Sequence, residues 1–120
     1  MGLFTLAEAR SQLAELHPII EDFVATRAEA AELGASIQTG GRPTQLGGLP
    51  EFKAAQARLD ELMTQMQQTG AELKGVAPLL LDFPAELDGE DVALCWVEGD
   101  AGLTWYHRRD LGFAGRRPLP

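Results

Sequence analysis

The stretch Val92-Ala93-Leu94-Cys95-Trp96-Val97-Glu98-Gly99-Asp100-Ala101-Gly102-Leu103-Thr104-Trp105-Tyr106-His107 decides the fold class of this chain. Its first six residues are apolar on both faces, the pattern of a strand buried inside a sheet. Glu98 to Gly102 has the composition of a five-residue hairpin loop, and Leu103 to His107 reads as the returning strand. With Val97 facing Leu103, Cys95 lies opposite Trp105 and Ala93 opposite His107. Alternation then gathers Ala93, Cys95, Val97, Leu103, Trp105 and His107 on one face. A slip of one residue would send the returning strand's side chains to the other face.

Upstream, Asp88-Gly89-Glu90-Asp91 reads as a turn, and Leu79-Leu80-Leu81-Asp82-Phe83-Pro84 as a short strand closed by proline. Residues 78–120 therefore form a C-terminal β-unit with an expected three-stranded, mainly antiparallel sheet. The N-terminal part has a different period. Thr5-Leu6-Ala7-Glu8 matches a capping box, with Phe4 at the staple position. Apolar residues then recur at three and four through Leu6, Ala9, Leu13, Leu16, Ile20, Phe23, Ala30 and Ile37, with Arg27 and Gly34 in the same seam. This predicts a helix over 1–38, kinked near His17 by Pro18. Residues 39–49 carry four glycines and no period, and read as a flexible loop. Pro50 opens a second helix over 50–74, with a seam of Phe52, Ala55, Leu59, Leu62, Met66, Thr69 and Leu73. Two seams joined by a loop predict an antiparallel helical hairpin, coiled-coil-like. The fold class is α+β, and residues 1–120 read as a single domain.

Composition narrows the partners. The formal net charge is −8, which argues against a nucleic-acid binder, since phosphate recognition is driven by clustered Lys and Arg. One cysteine, Cys95, excludes an internal disulfide. No apolar run approaches the roughly 18 residues of a membrane span, and Met1 to Leu6 has neither the signature of a signal peptide nor that of a myristoylation site. The expectation is a soluble, cytoplasmic protein with neither nucleic acid nor membrane as partner. The charge is uneven: residues 108–120 hold four arginines and one aspartate. These either pair with helix acids or form a local anion site.

The first candidate site is Gly112-Phe113-Ala114-Gly115-Arg116-Arg117-Pro118. Gly112 and Gly115 allow turns whose amides converge, and Arg116 or Arg117 would supply charge-assisted contacts to phosphate or carboxylate. His107 and Trp105 complete this ligand-binding set, and Trp96, Trp105 and Tyr106 form an aromatic cluster on adjacent strands. The alternative is a C-terminal clasp, with Phe113 plugged into the core. The second candidate is Cys95 with His107 and either Asp110 or Asp82, which supply the donors for a metal ion or a nucleophile and base. No Cys-x-x-Cys or His-x-x-x-His accompanies them. The third is the helical seam itself, whose Arg27, Gly34 and Thr69 leave an imperfect stripe that a second copy would complete as a homodimer.

Phe4-Thr5-Leu6-Ala7-Glu8-Ala9, Leu81-Asp82-Phe83-Pro84-Ala85, Leu94-Cys95-Trp96, and His107 followed by Asp110 and Gly112-Phe113-Ala114-Gly115-Arg116-Arg117-Pro118-Leu119 together resemble a bacterial family, domain of unknown function 2203. The resemblance covers nearly the whole chain. It implies a helical region followed by a compact end that carries the signature, and no activity or cofactor. Gly75 and Arg108 stand where relatives tend to carry acidic residues. The resulting expectation is a binding domain for a small anionic ligand at the β-unit, with helices that self-associate. The alternatives are a protein–protein interaction module without a ligand and a metal or enzymatic site at Cys95, His107 and Asp110.

Overall fold

The computed structural model describes residues 2–40 and 44–120. Residues 41–43, in the middle of the expected loop, lie outside the described residues. The chain divides into two compact units, one of residues up to Leu16 with Met66–Pro120, the other His17–Gln65.

Thr5 starts helix α1 (Leu6–Gln38) as its spacing predicts. Its amide donates to Glu8 Oε1 at 2.8 Å, and the Glu8 amide donates to Thr5 Oγ1 at 3.1 Å. This occupies two donors that a first turn otherwise leaves open. The helix continues through Pro18. Helix α2 spans Leu49–Gln68. Within His17–Gln65, Phe23, Ala30, Leu33, Ala55 and Leu62 are buried along the two seams. Gly34 has a packing reason to sit in the stripe, because a Cβ there would stand 3.1 Å from the Phe52 ring. Arg58 bridges to Asp22 at 2.6 Å on the exposed rim. Part of the expected loop is an ordered turn, with Thr44 and Gly47 exchanging two backbone hydrogen bonds of 3.0 Å.

α2 ends six residues before the expected boundary. Gly70 adopts φ 97°, a conformation that glycine takes without strain and that stops a helix. Thr69 Oγ1 closes the last turn onto Met66 O at 2.6 Å. Leu73, which fits the helical spacing, instead belongs to strand β1 (Glu72–Val76). The sheet therefore has five strands rather than three: β1, β2 (Leu79–Leu87), β3 (Glu90–Val97), β4 (Trp105–Arg108) and β5 (Arg117–Pro118), antiparallel in sequence order. β5 escaped the sequence reading because two residues, one of them proline, carry no alternation to detect.

Pro84 does not close β2, which runs on to Leu87. β1 pairs only as far as Asp82, so the following residues of β2 have a free edge on that side. Pro84 O points to this edge and accepts from the Phe4 amide at 2.7 Å. In an antiparallel strand the N and O of one residue point the same way, so the missing proline donor removes no bond to β3. Phe4 thus ties the N-terminus to β2, and its ring meets Phe83 edge-on at 5.3 Å.

Asp88 and Gly89, both at positive φ, form the two-residue turn between β2 and β3. Leu87 therefore faces Glu90, and the same register carries down to Phe83 opposite Leu94 and Asp82 opposite Cys95. Across the next hairpin, Cys95 faces Trp105 and Ala93 faces His107, as expected. One sheet face is an apolar core of Leu81, Phe83, Ala85, Val92, Leu94 and Trp96, all buried. The other carries Asp82, Ala93, Cys95 and His107.

Phe83→Ala removes a fully buried ring and is expected to destabilise the protein by about 3–5 kcal/mol, whereas Leu3→Ala, at a residue 53% exposed, should stay within about 0.5 kcal/mol. Urea unfolding of both variants checks this.

Candidate metal centre

Three adjacent strands hang one polar donor each over the second sheet face. Asp82 comes from β2, Cys95 faces it from β3, and His107 lies one diagonal step away on β4. Their donor atoms all lie within 4.8 Å of one another, and all three residues are buried. His107 Nδ1 lies 2.8 Å from Arg108 O. A carbonyl only accepts, so Nδ1 carries a proton and donates. Nε2 then faces Asp82 Oδ2 at 3.1 Å, a contact that requires one further proton between the two atoms. Asp82 Oδ1 is buried with no hydrogen-bond partner among the described residues. An orphaned carboxylate oxygen in such a place costs free energy unless something electropositive meets it.

Burial pushes the Cys95 thiol up to about 11; Arg116 pulls it down by less, and Asp82 adds to the rise. At neutral pH Cys95 is a thiol, not a thiolate, which disfavours a cysteine nucleophile. His107 Nε2 is also directed at Asp82 rather than at the sulfur. A coordinated metal ion would reverse this rise, since a ligating thiol loses its proton.

Arg116 closes the site beside Cys95. The β4–β5 pairing of Tyr106 with Arg117 and Trp105 with Pro118, extended by one residue, brings Arg116 opposite His107. Its Nη1 lies 3.8 Å from Cys95 Sγ and donates to Asp100 Oδ2 at 3.0 Å, while Nη2 donates to Asp100 Oδ1 at 3.2 Å. The guanidinium stands over the rings of Trp105 at 4.4 Å and Phe113 at 4.9 Å. Asp100 in turn shapes the β3–β4 turn: its Oδ2 accepts from Val97 N at 3.1 Å and its carbonyl from the Trp96 indole at 3.2 Å. Desolvation pushes the Asp100 carboxyl up, but the bonds from Arg116 and Val97 outweigh it and hold the group below the usual carboxylate range.

Arg109, just past β4, reaches Glu72 of β1 at 3.1 Å. Across a flat sheet these residues would stand three strand spacings apart, about 14 Å. Extended arginine and glutamate side chains together can span such a distance. None of the three donors is a helix residue.

The remaining expected site residues fall elsewhere. Asp110 does not join Cys95 and His107; it is exposed and forks with Arg108 at 2.6 and 3.1 Å, and Asp82 occupies the third position. Arg117 projects to the opposite face from Arg116 and, with Glu90, Tyr106, Arg108, Leu111 and Gly115, lines a polar hollow of about 190 Å³. Gly112 takes φ 70°, while the amides of Gly115 and Arg116 are bonded at 3.0 Å to carbonyls of their own turn. Phe113 is 45% exposed, so it shields Arg116 rather than plugging the core. Asp100 is the one site residue without a sequence signal of its own: its place in the loop near Val97 is local, but its pairing with Arg116 is tertiary.

A family model described as an uncharacterised conserved protein (DUF2203) matches residues 2–119. The chain belongs to this family. No curated protein and no solved structure matches it. Among the described residues of this DUF2203 protein, no helix is long and apolar enough to cross a membrane.

Arg116→Ala breaks a largely buried ion pair and should cost about 3 kcal/mol, the low end for such pairs, or roughly 10 °C in melting temperature. Arg117→Ala should leave the melting temperature within about 2 °C. Thermal scans of the two single variants separate them.

Proposed function

We propose that the β-unit of this DUF2203 protein binds one divalent, thiophilic transition-metal ion, such as zinc, through Asp82, Cys95 and His107. The observation that carries this reading is the buried, partnerless Oδ1 of Asp82 within a cluster that also holds a cysteine sulfur and an imidazole nitrogen. Tetrahedral zinc bonds of about 2.0–2.3 Å set its donors about 3.5 Å apart. The present spread of up to 4.8 Å is closed by a contraction of about 1 Å, within reach of side-chain rotation. The ionic charges also match. A thiolate and a carboxylate neutralise a divalent cation, and Arg116 is already neutralised by Asp100. A mixed sulfur, nitrogen and oxygen set disfavours magnesium and calcium, which take oxygen donors. Three protein donors leave a fourth position for water or another ligand.

A second reading keeps a small anion at the hollow formed by Tyr106, Arg108 and Arg117. The observation in its favour is that the exposed Arg117 lines this hollow together with Arg108, with Glu90 as the one acidic residue in its lining.

Protein purified without a histidine tag is expected to retain or take up one equivalent of zinc, measured by elemental analysis after dialysis, and to lose it in Cys95→Ser and Asp82→Asn. Binding at about 100 times the dissociation constant should stabilise the wild type by about 2.7 kcal/mol, a rise on the order of 10 °C. A wild type that neither holds zinc nor is stabilised by it contradicts the proposal. For the second reading, calorimetric titration with inorganic phosphate should give heat that disappears in Arg117→Ala; no heat in the wild type removes it.

A further inference from the structure

We infer that Arg116 is the outer-sphere partner of Cys95 in the metal-loaded site, and that Asp100 aims it there so that it sets how strongly the sulfur donates to the ion. The inference rests on the metal reading above and goes beyond it by giving the C-terminal Gly-Phe-Ala-Gly-Arg segment a chemical role. Its basis is a fixed chain of contacts from the β3–β4 loop to the sulfur. Val97 N orients the Asp100 carboxylate at 3.1 Å. The carboxylate grips both terminal nitrogens of Arg116, and the same Nη1 that touches it lies 3.8 Å from Sγ. Trp105 and Phe113 hold the guanidinium in place through their rings. With two χ-rich ends pinned, the donor has one direction left to point.

Charge does not oppose this arrangement. A divalent ion, a thiolate and a carboxylate sum to zero, as do Arg116 and Asp100. The guanidinium therefore acts on the sulfur as a hydrogen-bond donor rather than as a net repulsive charge. Such a donor stabilises the sulfur lone pairs, which moves the charge-transfer band to shorter wavelength, and it holds the ligand in its binding rotamer, the larger effect on affinity. Lysine cannot copy the function. Its ammonium is a point charge without a planar fork, so it cannot grip both carboxylate oxygens and present a third N–H to sulfur in one fixed plane.

The test uses cobalt(II), whose bond to a thiolate gives a near-ultraviolet charge-transfer band. Cobalt(II) is titrated into wild type, Arg116→Lys and Asp100→Asn, each checked for folding by far-ultraviolet circular dichroism, and affinity is read by competition with a chelator. The wild type should bind one cobalt with a thiolate band. In Arg116→Lys the band should move to longer wavelength and the affinity fall about 10–100-fold. Asp100→Asn, which keeps the guanidinium but loosens its aim, should shift both in the same direction by less. It also carries the comparison if Arg116→Lys fails to fold. A band at the wild-type wavelength in the folded variants overturns the role of Arg116 and leaves the metal reading standing. No thiolate band in the wild type overturns the metal reading, and this inference with it.

Discussion

Antiparallel register is the constraint from which the rest of the β-unit follows. Asp88 and Gly89 at positive φ make the connection between β2 and β3 two residues long, and that length leaves one pairing, Leu87 with Glu90. Five residues further along each strand, the same register sets Asp82 beside Cys95. The longer β3–β4 loop, organised by Asp100, sets Cys95 beside Trp105 and brings His107 diagonally next to it. A slip of one residue in either hairpin would turn one donor into the apolar core and separate the three. The three donors are thus brought together by two turns, and none of them is a helix residue.

Placing a carboxylate, an imidazole and a thiol out of water is expensive, and the structure compensates only part of the expense. His107 is satisfied at both nitrogens, and Asp82 at one oxygen. The second oxygen has no hydrogen-bond partner among the described residues. Arg116, which lies beside the cluster, is itself taken up by Asp100. It is this unmet oxygen among the described residues, beside a sulfur and an imidazole, that supports the proposed thiophilic divalent ion.

Much of this was legible in the residues, and the failures have physical causes. The capping box at Thr5 and the pairing of Cys95 with Trp105 were readable because each rests on local spacing. The end of α2 lies six residues before the sequence expectation because Leu73 satisfies a helical period and a strand period equally, while the stop at Gly70 depends on its positive φ. Pro84 reads as a strand end from sequence because its tolerance depends on which edge is free, a fact set by where β1 stops pairing. The third donor was the closest miss: Asp82 and Asp110 stood as alternatives. Counting back from the Asp-Gly turn puts Asp82 opposite Cys95 and decides between them. The closure of Arg116 on Asp100 joins residues 16 apart through tertiary packing, and no local pattern announces it.

The most direct test of the account is the zinc-edge X-ray absorption fine structure of the loaded protein. The account predicts one sulfur neighbour near 2.3 Å together with nitrogen and oxygen neighbours at about 2.0–2.2 Å. A shell of nitrogen and oxygen alone would show that the ion sits somewhere other than Cys95, and would contradict it.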